Sequence, residues 1–77
     1  MLLTVRISNT LLHVVEGLPS EVVVEKTAPL TIRQLAIELK IPTILIAIAV
    51  VDGVKRPLAF RLTQNAEITF IGPIAGG

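Results

Sequence analysis

The N-terminal part of the chain shows the two-residue period of β-strands, interrupted once. Leu3, Val5 and Ile7 alternate with polar residues, which predicts a first strand. The short apolar run 11–16 is followed by Gly17, a possible helix cap, and predicts one or two turns of helix. A second strand is predicted over residues 21–25, where three β-branched valines stand between two glutamates.

A helix is predicted after the second strand by its cap and its apolar stripe. Thr31 can cap the first turn, and Gln34, three residues on, completes a capping box. Pro42 is expected to end the helix, because its ring blocks continuation. The apolar positions follow the spacing i, i+3, i+4 and i+7 and form one stripe: Ile32, Leu35, Ala36 and Leu39.

The second half of the chain returns to strand patterns. The run from Ile46 to Val51 predicts a strand with much of both faces covered. Asp52-Gly53 predicts a tight turn, and Pro57 confines the next segment to an edge or a short irregular strand. A last strand is predicted around residues 68–70. The order strand, strand, helix, strand, short strand, strand predicts an α+β fold, with a mixed sheet of four to five strands packed on one main helix.

Composition limits the classes of function. The chain has 77 residues, 52% of them apolar, and a formal charge of +1. One small domain is expected, with more apolar surface than its core can hide, which favours binding to a partner; a tightly filled thermostable core is the alternative. The absence of cysteine excludes disulfides and thiol chemistry. No signal peptide or membrane segment is visible, so a cytoplasmic protein with no membrane partner is expected.

Side chains suited to catalysis or metal binding form no recognisable set. His13 is the only histidine, the six acidic residues are scattered, and no phosphate-binding loop is present. We therefore expect no metal site. Phe60 and Phe70 are the only aromatic residues, which argues against nucleic-acid binding. The basic trio of Lys55, Arg56 and residue 61 is either a solvated rim or a docking patch for an acidic partner.

The C-terminal residues 73–77 have the pattern of a protruding tail. Pro73 stops strand pairing, and an extended tail from there would reach about 17 Å. The final Gly76-Gly77 lacks side chains and could enter a narrow tunnel of an enzyme, although a frayed end without a role is the alternative. A terminal carboxylate is a poor electrophile. Adenylation by a separate enzyme that uses ATP would allow it to become a thiocarboxylate or an amide.

The order of elements and the ending Phe70-Ile71-Gly72-Pro73-Ile74-Ala75-Gly76-Gly77 resemble the MoaD/ThiS family of sulfur carriers. The resemblance covers essentially the whole chain and implies a β-grasp, ubiquitin-like fold, with a domain over 1–72 and a flexible tail over 73–77. Within the family the chain is more similar to the small subunit of molybdopterin synthase, which often has a short helical insertion at the place of residues 11–17. That branch often has two prolines before the tail, and Gly72 replaces the first.

The resemblance implies a role for each part of the tail. Gly77 would be adenylated by an enzyme resembling ubiquitin-activating enzymes, then thiocarboxylated, with ATP used by that enzyme and no cofactor held permanently. The tail (Pro73, Ile74, Ala75 and Gly76) would enter the large subunit of molybdopterin synthase and donate sulfur. The protein would be a carrier rather than an enzyme. The candidate docking residues for a partner are Phe60, Phe70, Ile71 and Ile74.

Three other functions remain open. The carrier could serve thiamine thiazole synthesis, with thiazole synthase as its partner, rather than molybdopterin or related tungsten-cofactor synthesis. It could instead be a ubiquitin-like modifier joined to lysines of other proteins. The last possibility is an interaction module that uses only the surface of its fold.

Overall fold

The structure, a computed structural model, describes residues 1–73. Seven strands, two α-helices and one 3-10 helix follow one another over this range. In chain order they are β1 (Leu2–Ile7), α1 (Asn9–Leu12), β2 (Glu21–Glu25), β3 (Leu30–Thr31), α2 (Ile32–Glu38), the 3-10 helix (Thr43–Leu45), β4 (Ile48–Val51), β5 (Val54–Arg56), β6 (Arg61–Leu62) and β7 (Ala66–Ile71).

Five of the strands form one mixed sheet in the order β2-β1-β7-β4-β5. β1 and β7 are parallel, and the other neighbours are antiparallel. β3 and β6 pair separately as a two-stranded sheet. The fold class is therefore α+β with a mixed sheet, as predicted. The C-terminal strand β7 lies at the centre of this sheet, paired on both sides.

The core lies on the side of the sheet that carries α2. Alternate residues of β1 and β7 are buried there, as the two-residue period predicts, and the helix contributes its apolar stripe. The fully buried side chains include Leu3, Val5, Ile32, Leu35, Ile68 and Phe70. Half-buried and exposed residues form the opposite side of the sheet, here called the open face.

The predicted start of α2 is confirmed. The Gln34 backbone N–H donates to Thr31 Oγ1 over 3.1 Å, and the Thr31 N–H donates to Gln34 Oε1 over 2.8 Å. These two bonds are the capping box, and they satisfy backbone donors that have no partner inside the helix.

The expected end of α2 is wrong, and so is the expectation of one main helix. The helix has only seven residues and ends at Glu38, before Pro42 can act. Lys40 has a φ of 61°. Its N–H donates to the Ile37 carbonyl over 3.0 Å, while the Ile41 N–H donates to the Ala36 carbonyl over 2.9 Å. This pair of bonds is a Schellman motif, which reverses the chain and buries Ile41.

β4 and β5 are shorter than the runs that predict them, whereas β7 is longer than the predicted range 68–70. β4 begins at Ile48, because the 3-10 helix and its connection take up the preceding residues. The tight turn is confirmed by positive φ at Asp52 (48°) and Gly53 (84°), as a two-residue hairpin of type I′ requires. β5 is a three-residue edge strand that ends before Pro57, also as predicted. The pairing of β3 with β6 has no counterpart in the prediction.

Candidate functional site

The predicted tail begins where β7 leaves the centre of the sheet. Ile71 is the last residue of the strand, and the Ala47 N–H donates to its carbonyl over 2.8 Å. On the other side, the Ser8 N–H donates to the Phe70 carbonyl over 3.0 Å. Hydrogen bonds therefore hold β7 on both sides up to its last residue.

Two hydroxyl groups hold the next residue, Gly72. Its N–H donates to Thr10 Oγ1 over 2.9 Å, with Ser8 Oγ at 3.3 Å, and the two hydroxyl oxygens lie 2.7 Å apart. We call Ser8, Thr10 and Gly72 the tail anchor. Ser8 is also the N-cap of α1, yet its side chain makes no capping bond. The hydroxyl that could cap this helix lies instead at the end of β7.

Gly72 has no room for a side chain. A Cβ at this position would lie 2.8 Å from Leu11 Cγ, 2.9 Å from the Leu11 backbone nitrogen and 3.1 Å from its Cα. Gly72 is buried, whereas Pro73 is exposed. Gly72 is thus anchored, and Pro73, directly after it, faces solvent.

The other tail residues predicted to act, Ile74, Ala75, Gly76 and Gly77, lie outside the described residues. The boundary between a domain over 1–72 and a tail over 73–77 stays a prediction.

The structure does not bring the predicted docking residues together on one surface. Phe70 is fully buried in the core. Its inclusion in a docking surface is therefore wrong, because its position in β7 points it toward α2. Ile71 is half-buried on the open face. Phe60 is half-buried beneath Arg56, whose guanidinium carbon lies 4.6 Å from the ring centroid. Arg56 pairs with the core-facing Ala49, so Phe60 lies on the other side of the sheet from Ile71.

Two residues of β4 lie beside Ile71 instead. Ile48 is its register partner, and Val50 pairs with Thr69 on the same face. All three aliphatic side chains are half-buried. We call Ile48, Val50 and Ile71 the open-face patch. Its two β4 members were missed because the run from Ile46 to Val51 was interpreted as a strand with much of both faces covered. Every position of this run is apolar, so no alternation in the sequence indicates which face is open.

Charged groups lie around these apolar surfaces. On the open face Arg6 contacts Glu67 at 3.1 Å and Glu21 at 3.8 Å. All three side chains are about half exposed, so these pairs add little stability. Of the basic trio, Lys55, Arg56 and Arg61 are all exposed, and none has an acidic partner within residues 1–73. Both interpretations of this trio, solvated rim and docking patch, stay open.

Residues 1–73 contain no cluster of three His, Cys, Asp or Glu side chains that could hold a metal ion. In the same range no helix is long and apolar enough to span a membrane. His13, the only histidine of the chain, is exposed at the end of α1.

No protein-family model matches the sequence of this chain, and no curated protein matches it.

Proposed function

We propose that this protein is a β-grasp sulfur carrier of the MoaD/ThiS type, with the Gly77 carboxylate as its loading site. The observation that carries the proposal is the end of β7. A central strand is fixed up to Gly72, and the next residue, Pro73, is exposed. A body held by hydrogen bonds up to Gly72, with an exposed residue directly after it, suits a protein whose C-terminus another enzyme must reach.

The sheet order and the helix packed on one face support the β-grasp assignment. The parallel pairing of β1 with β7 in the middle of the sheet brings the first and last strands together. The remaining strands flank this central pair on both sides. The separate pairing of β3 with β6 beside α2 adds a small second sheet without disturbing that arrangement.

The chemistry requires activation by a partner. Attack of the Gly77 carboxylate on the α-phosphorus of ATP forms an acyl adenylate and releases pyrophosphate. Hydrosulfide then adds to the acyl carbon and AMP leaves, which gives a thiocarboxylate. The thiocarboxylate sulfur then bonds to the acceptor and displaces a leaving group from it, and water attacks the acyl carbon and breaks its bond to sulfur, which restores the carboxylate. The open-face patch lies next to the point where the tail begins, so it can dock the enzyme that carries out the first two steps.

The short helix α1 favours the molybdopterin branch over the thiamine branch. It occupies the connection between β1 and β2, where the resemblance places a helical insertion, and its N-terminal hydroxyls belong to the tail anchor. The same anchor accounts for Gly72 at a position where that branch often has proline. A proline would have no N–H to donate to Thr10, and its ring would meet Leu11.

The proposal predicts a change in mass on loading. Incubation with ATP, sulfide and an activating enzyme of the ubiquitin-activating type should raise the intact mass by about 16 Da, because sulfur replaces one oxygen. A chain that lacks Gly77 should stay unchanged. On the patch, Val50→Lys should slow loading, whereas Thr4→Lys, also on the open face but two strands away, should load normally. Unchanged mass of the full chain, while a known carrier is loaded in parallel, would contradict the proposal.

A further inference from the structure

The hydrogen bonds between β1 and β2 show which backbone groups of β2 point away from the sheet. The Lys26 N–H donates to the Met1 carbonyl over 2.9 Å, and the Met1 nitrogen donates back over 2.7 Å. At the other end, the Ile7 N–H donates to the Ser20 carbonyl over 2.9 Å. Even-numbered residues of β2 therefore bond to β1, and antiparallel pairing directs the N–H and C=O groups of the alternate residues outward: Glu21, Val23 and Glu25.

These outward groups form a sheet edge with space for another strand. β2 is the terminal strand of the five-stranded sheet, and no hydrogen bond from elsewhere in residues 1–73 reaches them. Val23, at the middle of the edge, is 56% exposed. The opposite edge of the sheet, β5, is different. The hairpin turn directs the backbone N–H and C=O groups of Val54 and Arg56 toward β4. Only Lys55 then has backbone groups that point outward before Pro57 ends the strand.

The charge of this edge specifies what can pair with it. Glu21 and Glu25 flank Val23 on the open face, and both are exposed. Arg6 lies 3.8 Å from Glu21, while Glu25 has no ion-pair partner within the described range. A second copy of β2 pairing antiparallel about Val23 would place Glu21 opposite Glu25, which is destabilising. The two glutamates thus oppose self-association of this edge and favour a basic strand.

Apolar contacts are available on the other side of β2. Val22 and Val24 are half-buried there. Beyond them, from Lys26 onward, an open groove of about 460 Å³ lies between the end of β2 and α2. Leu30 and Ile37 are among the residues that line it, and Ile37 is 61% exposed. Alternate side chains of an added strand would point toward this side.

We propose that the β2 edge binds an extended segment of a partner protein as a sixth, antiparallel strand of the sheet. The segment has basic residues opposite Glu21 and Glu25 and apolar residues at the three positions between them. Main-chain hydrogen bonds to the outward groups supply affinity, and the alternating side chains supply selectivity. This surface is separated from β7 by β1, so it acts independently of the tail.

Peptide binding tests whether Glu21 and Glu25 select a segment with basic residues. The probe is a fluorescent peptide with the core Lys-Val-Val-Val-Lys between Ser-Gly flanks, and its matched control is Glu-Val-Val-Val-Glu. The intact protein should bind the basic peptide about tenfold more tightly than the acidic one, since two cross-strand charge pairs change sign. The double variant E21K/E25K should show the reverse preference. Equal binding of both peptides, binding of neither, or an unchanged preference in the variant would each overturn the proposal.

A backbone variant tests whether the peptide adds as a strand. Val23→Pro removes an outward N–H and leaves the bonds to β1 in place, whereas Val23→Ala keeps that N–H. With folding of both variants verified by circular dichroism, Val23→Pro should bind the basic peptide several-fold more weakly than Val23→Ala. Equal affinity would exclude strand addition. A dimer of the protein alone that E21K/E25K dissociates would show that a second copy of the chain occupies the edge, and would overturn the proposal of a basic partner segment. Deletion of Gly76 and Gly77 should leave peptide binding unchanged, which separates this surface from the proposed carrier role.

Discussion

Gly72 is the residue at which the anchored body of the protein meets the predicted tail. Its N–H is held by the hydroxyl of Thr10, and Leu11 occupies the space where a side chain would lie. Gly72 lies more than 60 positions along the chain from the hydroxyl groups that hold it, so no local pattern in the sequence indicates these contacts. What the sequence shows at this position is only a glycine before a proline.

Replacement of Gly72 by alanine should destabilise the fold. The added Cβ would meet backbone atoms of Leu11 at 2.9 and 3.1 Å, and backbone yields less readily than a side chain. We expect a loss of about 1–3 kcal/mol in the free energy of unfolding, measured by urea denaturation. The control is Pro73→Ala, an exposed position where the change should stay within about 0.5 kcal/mol. An alanine variant as stable as the natural protein would show that Gly72 is not closely packed.

At the scale of elements, the end of α2 is set by backbone conformation. The apolar stripe and the capping box predicted the start of the helix correctly, because both depend on residues three or four positions apart. Its end depends on Lys40 adopting a left-handed conformation, which lysine seldom does. The sequence therefore pointed to the nearest proline instead. The pairing of β3 with β6 was missed because Thr31 was interpreted only as the cap of a helix.

The conformation of Lys40 predicts a stabilising substitution. Lys40→Gly should raise the free energy of unfolding by about 0.5–1 kcal/mol, because glycine adopts a φ of 61° without steric cost. Lys40→Ala removes the same side chain but keeps the Cβ, so it should give no such gain. Thermal and urea unfolding of the three proteins measures the difference. A glycine variant less stable than the alanine variant would contradict the claim that the left-handed conformation of Lys40 is strained.

At the scale of the whole molecule, the sheet order separates two surfaces. Strand β7, which leads to the predicted tail and carries Ile71 of the open-face patch, lies at the centre, while the unpaired β2 edge lies two strands away. The strand patterns could be predicted from the sequence, whereas the tail stays a prediction. The location of the open-face patch could not be predicted, because strand register decides that Phe70 faces the core and Ile48 lies beside Ile71. Register is a property of the assembled sheet.

The account as a whole depends on where sulfur is attached. Tandem mass spectrometry of the protein after incubation with ATP, sulfide and the activating enzyme locates the added mass along the chain. The account predicts that every fragment containing the Gly77 carboxyl group gains about 16 Da and that fragments lacking it are unchanged. Added mass on any other residue, or a C-terminal fragment of unaltered mass, would contradict it.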